Sequence, residues 1–420
     1  MTSEIDYSDA RARAAPARPY GVRRHNLGLV LRHLASTGPR SRAQLAAATG
    51  LTKATVSSIV AELLDAGLVA ELGVRAQGEI GRPGSVLTID AAGSAGLGLE
   101  INVDYLAVCV IDLGRQTRFH RVDCVDNRDS PGRAIDRLAH MARTALDAAA
   151  AQGLVVSGLA VALPGVVDAD GVLLHAPNLG WRDVPVADLL GARLGIEPAQ
   201  VMLDNEANLA ALAELWFGEG ATWGDYLHVS GEIGVGAGIV SGGRVSRGAR
   251  GFAGEVGHLS LDMSGPACPC GGRGCLERYC GQEAILQAAG LDPTPTTATG
   301  RPDGSLAGLL AALEAGRARP VRAVRKAGTA LGRGVAGAVN LLDVETVVLG
   351  GIYSPLAPWL AEPFTEALRQ HTIASSWEPI RIEISRLGPD AAVRGAAGTV
   401  TQRVLADPTS HTPLAVPGGG

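Results

Sequence analysis

His258, Cys268, Cys270 and Cys275 follow an H-x9-C-x-C-x4-C spacing, and no other feature of this chain restricts its folding as tightly. Three thiolates and one imidazole form a closed tetrahedral shell, the usual form of a structural Zn2+ site, so this segment must curl back on itself. Gly271, Gly272 and Gly274 give the backbone room to do so between ligands. Four of the six cysteines lie within residues 268–280, and six in 420 residues are too few for a disulfide scaffold. Metal chemistry is therefore the expectation. Cys280 falls outside the spacing, and Cys109 and Cys124 lie in or beside predicted strands; these three read as small buried apolar residues.

A chain of 420 residues, 46% hydrophobic and 19% charged, is expected to form two or three globular domains. No apolar run reaches the roughly eighteen residues of a membrane span. The first twenty residues lack the apolar core of a signal peptide, which predicts a cytoplasmic protein. The net charge of −5 conceals a split. Between Ala10 and Ala61 there are nine Arg or Lys and no Asp or Glu, leaving 28 basic and 42 acidic residues for the remainder. A basic front on an acidic body predicts an anionic partner for the front alone.

That front end has a legible plan. Residues 1–20 show no periodicity and read as a flexible Arg/Pro-rich arm. Leu27, Val30, Leu31 and Leu34 then recur at helical spacing, and Gly38-Pro39 stops the pattern. Ser41-Arg-Ala-Gln44 is a capping-box start for a short second helix with Leu45 and Ala48 inward. Gly50 supplies a turn, and Thr52 caps a third helix with Val56, Ile59, Val60, Leu63 and Leu64 on its apolar face. Leu68–Leu72 and Val86–Ile89 read as a hairpin around Gly81-Arg82-Pro83-Gly84. Three helices and a hairpin over 21–90 make a winged helix-turn-helix, whose third helix enters the major groove of double-stranded DNA. Thr52, Lys53, Thr55, Ser57 and Ser58 on that helix, Arg42 on the second and Arg82 on the wing are the candidate DNA contacts.

After a linker at Asp90–Ala95, a strand–turn–strand pattern at Leu97–Asp112 is echoed by Leu227–Gly242, each followed by a helical stretch. The echo predicts two similar α/β lobes around a cleft. Within them lie Gly158-Leu-Ala-Val-Ala-Leu-Pro-Gly165, Ala176-Pro-Asn-Leu-Gly-Trp181, Asp204-Asn-Glu-Ala-Asn208 and Gly254-Glu-Val-Gly-His258, then the cysteine motif running to Glu277. Together with Val347–Gly351 and Ala391–Ala397, these resemble the ROK family of repressors, open reading frames and sugar kinases. The resemblance implies an α/β, two-lobed actin-like sugar-kinase fold over 96–406. Its first lobe would comprise about 96–210 plus a C-terminal helix at about 390–406, its second about 211–389, with 407–420 a disordered tail. A winged helix-turn-helix in front is similar to the regulator branch of the family, which supports the expectation of a homodimer, with a tetramer of two dimers as the alternative.

The resemblance implies that Asn205, Glu255, His258 and Glu277 contact a sugar, with Gly165 and Asn178 lining the cleft and the zinc loop positioning Glu255 and His258. The family's catalytic aspartate position holds Glu206, whose extra methylene displaces the carboxylate by about an ångström. The two phosphate loops of the kinases correspond to Glu100-Ile-Asn102-Val-Asp104 and Gly231-Glu232-Ile233, where carboxylates stand in place of small residues. Like charges facing ATP phosphates predict lost kinase chemistry and no catalytic residue. The expectation is a transcriptional regulator of carbohydrate genes, most simply a repressor, responding to a sugar effector. The competing reading is an ATP-dependent sugar kinase with an added DNA-binding domain.

Overall fold

The computed structural model describes residues 19–74, 85–128, 130–168, 170–293 and 304–414. It divides into two compact units, Met1–Asp90 with Arg403–His411, and Ala91–Gln402 with Thr412–Gly420. The chain first passes between them after Asp90, in the linker segment, and crosses again after Gln402 and after His411.

The first unit is a three-helix head with a small sheet: α1 (Pro19–Thr37), β1 (Arg40–Ser41), α2 (Arg42–Thr49), α3 (Lys53–Asp65), β2 (Val69–Val74) and β3 (Ser85–Ile89). Leu27, Val30, Leu31 and Leu34 of α1 are at most 2% exposed and pack with Leu45, Val56, Ile59, Val60 and Leu63. Both predicted caps form. Ser41 Oγ accepts from Gln44 N while the Gln44 side chain accepts from Ser41 N, and Thr52 Oγ1 accepts from Thr55 N. Gly50 ends α2 at φ 71°, a left-handed conformation that a β-carbon disfavours. On α2 it is Ala46 rather than Ala48 that turns inward, because Ala46 follows Leu45 on the face toward α1 and α3. The sheet order β1-β3-β2 adds a two-residue strand that the hairpin reading lacked. Arg82 and the wing tip lie outside the described residues, as does the arm through residue 18.

Residues 403–411 belong to this unit: Arg24 pairs with Asp407, and Arg32 Nη1 donates to Ala406 O at 3.2 Å. The expected disordered tail is thus partly built. Pro408–Ser410 form a 3-10 turn capped by Asp407, and Leu414 N donates to Val156 O at 2.7 Å in the second unit.

The second unit contains the repeated lobes. The first runs β4 (Ala95–Ile101), β5 (Tyr105–Asp112), β6 (Thr117–Cys124), α4 (Pro131–Ala151), β7 (Val156–Leu163), β8 (Val166–Val167), β9 (Leu173–Ala176), β10 (Trp181–Val184), α5 (Val186–Leu194), β11 (Val201–Asn205) and α6 (Glu206–Phe217). Its main sheet has the order β11-β7-β4-β5-β6. The second lobe runs β12 (Tyr226–Gly231), β13 (Val235–Ser241), β14 (Arg244–Val245), α7 (Glu277–Cys280), α8 (Gln282–Ala289), α9 (Gly304–Glu314), α10 (Ala318–Leu342), β15 (Thr346–Gly351), α11 (Tyr353–His371) and β16 (Arg381–Ile384), then α12 (Ala391–Ala406). Its sheet, β14-β13-β12-β15-β16, repeats the first: an antiparallel meander followed by two parallel strands. The sequence echo is the first hairpin of each sheet, β4–β5 and β12–β13.

Between the sheets lie α6 and α12, joined through Leu209, Ala213, Ala396 and Val400. Small residues set this spacing. A β-carbon on Gly98 would collide with the Val393 carbonyl, and one on Gly238 with Ala207 and Ala211. The lobe boundary expected at 210/211 falls inside α6, whose alanines and leucines continue unbroken. Cys109 and Cys280 are fully buried and Cys124 is partly so. No helix among the described residues is long and apolar enough to cross a membrane.

Candidate functional site

The loop after β14 brings the four predicted ligands together. One donor atom from each of His258, Cys268, Cys270 and Cys275 lies within 4.8 Å of all the others. Cys270 Sγ and Cys275 Sγ are 3.7 Å apart, and Cys268 Sγ is 3.8 Å from His258 Nδ1. A tetrahedral Zn2+ with bonds of about 2.3 Å requires sulfurs about 3.8 Å apart, so the donor set fits that ion. Short antiparallel bridges, Ser260 to Cys275 and Ala267 to Arg273, close the loop. Burial and the Cys268–Glu277 hydrogen bond push the Cys268 thiol up, so a cation that binds there must replace the Cys268 proton.

The cluster abuts the cleft. Glu277 Oε1 accepts from Cys268 Sγ at 3.0 Å and stands 3.8 Å from His258 Nδ1. His258 turns its other nitrogen, Nε2, toward Glu255 Oε2 at 3.8 Å. Gly254, at φ 94°, lets this segment press against β13, where a β-carbon would strike the Ala237 carbonyl. All the sequence-predicted cleft residues converge: Gly165, Asn178, Asn205, Glu206, Glu255, His258 and Glu277 line one pocket between the lobes. Asn205 does so with its side chain already engaged. Its Oδ1 caps α6 by accepting from Ala207 N, and its Nδ2 donates to Gly165 O at 3.0 Å.

The corner that the resemblance assigned to phosphate loops is acidic. Glu232 lines the same pocket with Asn102 and Val103. Glu100, 1% exposed behind them, accepts from Tyr105 Oη at 2.6 Å through Oε1, whereas its Oε2 has no hydrogen-bond partner among the described residues. Burial pushes the Glu100 carboxyl up to about 7 and that of Asp104 up to about 6. Burial and then the Glu100 charge hold Glu206 and Glu232 well above the usual carboxylate range. Glu206 Oε2 is likewise buried without a partner.

One pair was missed from sequence. Arg247, beyond β14 in the second lobe, donates from Nε and Nη2 to Asp204 Oδ2 at the end of β11, at 2.9 and 2.6 Å. Asp204 Oδ1 meanwhile accepts from Asn205 N and Asn208 Nδ2. Asp204 stood inside a quoted motif, but a distant arginine carries no local signal. Gly234 was also unassigned. A β-carbon there would crowd Asn178 Nδ2 and Glu277 Oε2 across the cleft.

On the head, Lys53, Ser57 and Ser58 are exposed on the first turns of α3, beside part-exposed Thr55. Thr52 Oγ1 is occupied as the cap, Ser57 Oγ donates to Lys53 O, and Ser58 Oγ accepts from Arg23. Arg42 is held inside the unit by Glu71 and Ser85 at 2.8 and 2.9 Å, so its charge is less available than the sequence suggested.

The comparisons agree with both units. Residues 96–403 match the ROK family model and residues 28–78 the MarR family model. A putative xylose repressor of Caldicellulosiruptor sp. (strain Rt8B.4) is 30% identical over 92% of this chain and 98% of its own length. A solved ROK family transcriptional regulator, described as a homologue of the Escherichia coli Mlc protein, superposes with a TM-score of 0.74 at 26% identity, covering 93% of this chain and 98% of its own. A Streptomyces griseus glucokinase solved with glucose and AMPPNP covers 73% of this chain and 98% of its own, at TM-score 0.62 and 27% identity. With the family model spanning both lobes and the regulator matching nearly end to end, the chain belongs to the ROK family.

Proposed function

We propose that this protein is a DNA-binding transcriptional repressor of carbohydrate genes, whose two-lobed domain binds a sugar effector without phosphorylating it. The carrying observation is one chain holding both a winged helix with an exposed recognition-helix start and a complete polar cleft whose phosphate corner is carboxylate. The relative aligned along nearly the whole chain is a named repressor, whereas the glucokinase aligns only with the lobes. Glu255, His258 and Glu277 clasp the sugar hydroxyls, Gly165, Asn178 and Asn205 shape the floor, and Glu206 occupies the catalytic position without its geometry.

Zn2+ suits the Cys268, Cys270, Cys275 and His258 donor set and acts structurally: no donor position is left open for a substrate. Its role is to pin His258 and, through Cys268, Glu277 against the cleft. Lys53, Thr55, Ser57 and Ser58 face the major groove, with Arg82 on the wing as a further contact. A single head reads a short half-site, so a homodimer, or a pair of dimers, is the working form in the cytoplasm.

The test joins two assays on the full chain. Gel shifts against DNA upstream of its own gene, with and without a sugar panel, should show binding that one sugar alters. Incubation of the same sugars with ATP should yield no phosphorylated product. ATP-dependent phosphorylation would replace this reading with that of a kinase.

A further inference from the structure

We infer that the effector is a sugar carrying no negative charge, uncharged or amino-bearing, and that the cleft discriminates against its phosphomonoester. This rests on the sugar-effector reading above and specifies the chemistry of that ligand. The observation is the charge inventory of the cleft wall. Four carboxylates, Glu206, Glu232, Glu255 and Glu277, line the pocket with His258, and among the described residues neither a lysine nor an arginine lines it. Behind them Glu100 Oε2 is buried with no hydrogen-bond partner among the described residues, as is Glu206 Oε2 at the cleft wall itself.

A site built for a phosphate ester supplies guanidinium or ammonium groups, or a run of free backbone N–H groups. One helix that begins at this cleft is α6, and there Asn205 Oδ1 already takes the N–H groups of Ala207 and Asn208. The carboxylates sense how unfavourable negative charge is here: Glu206 and Glu232 are displaced far upward by burial and then by the Glu100 charge. A phosphate entering the same space meets the same penalty. It must either face ionised carboxylates or force each to hold a proton. A hydroxyl donates to these oxygens, and an ammonium group does so with a favourable charge.

The experiment is calorimetric titration of the full-length protein with xylose, glucose, mannose and galactose, the phosphomonoester of each, and glucosamine. At least one unphosphorylated sugar should bind, with its phosphomonoester weaker on the order of a hundredfold. Glu232→Gln and Glu206→Gln keep side-chain shape and remove the ionisable carboxyl, and either should narrow that ratio by about tenfold or more. A phosphomonoester binding as tightly as its parent sugar would overturn the inference while leaving the sugar-effector reading in place. An unchanged ratio in both folded variants would overturn the charge argument. Silence from the entire panel would refute the sugar-effector reading itself, and this inference with it.

Discussion

Replacing Arg247 by Ala should weaken effector binding without touching operator recognition. Its two hydrogen bonds to Asp204 Oδ2, at 2.9 and 2.6 Å, join the loop after β14 in one lobe to the end of β11 in the other. A tie of this kind exists only while the lobes stand close. The arginine side chain is 49% exposed and the aspartate 11%, so the pair lies between a surface bridge and a buried one. Surface pairs contribute up to about 1 kcal/mol and charge-assisted bonds to sheltered groups about 1.5–3 kcal/mol, which brackets this pair at about 1–2 kcal/mol. Asp204 keeps its bonds to Asn205 N and Asn208 Nδ2 in the variant, so the cleft floor stays assembled. If the effector binds the closed lobes, losing the tie lowers the closed fraction and raises the apparent Kd about 5- to 30-fold. Titration calorimetry of Arg247→Ala beside Arg250→Ala, whose guanidinium instead lies 5.8 Å from the Phe252 ring centroid, reads this directly. An effector Kd within twofold of the parent protein, or an equal loss in Arg250→Ala, would refute the reasoning.

Three further outcomes are expected. Folded-state burial raises Glu100 from 4.5 to about 7, so the stability tied to its proton is complete below about pH 4.5 and is lost as pH rises to about 7; Glu100→Gln should remove about 3 kcal/mol of that decline, read by denaturant melts at pH 5 and pH 8. Thr52→Ala should destabilise the head by about 1 kcal/mol through loss of the α3 cap, whereas Lys53→Ala should leave stability alone and lower the salt slope of operator binding by about one counterion, both measurable in the full chain. Cys270→Ser should lose the bound metal, by elemental analysis, together with the sugar response; a full equivalent of zinc in that variant would exclude Cys270 as a ligand.

Local chemistry was legible in the sequence where neighbours along the chain cooperate. The α1 face of Leu27, Val30, Leu31 and Leu34, the Ser41/Gln44 and Thr52 caps, and the H-x9-C-x-C-x4-C loop are short-range patterns, and each forms as read. The lobe duplication was legible only at its first hairpins, β4–β5 and β12–β13, where two short, largely apolar runs meet across a turn. Elsewhere the tertiary structure decided. Arg247 meets Asp204 across 43 positions of sequence, and the two-residue β1 acquires its meaning only beside β3. Arg42 sits in the acid-free stretch that suggested DNA contact, yet Glu71 from the hairpin neutralises it, an encounter that no local window contains. Residues 407–410, rich in the types that avoid regular structure, are ordered because Asp407 finds Arg24 and caps its own turn. The carboxylates show the division most clearly. Their positions in the motifs were visible in the chain, but only the fold turns Glu206 and Glu232 into one cleft, sets Glu100 behind them, and leaves Glu100 Oε2 and Glu206 Oε2 without a hydrogen-bond partner among the described residues. Charge is written in the sequence; what a charge faces is a property of packing.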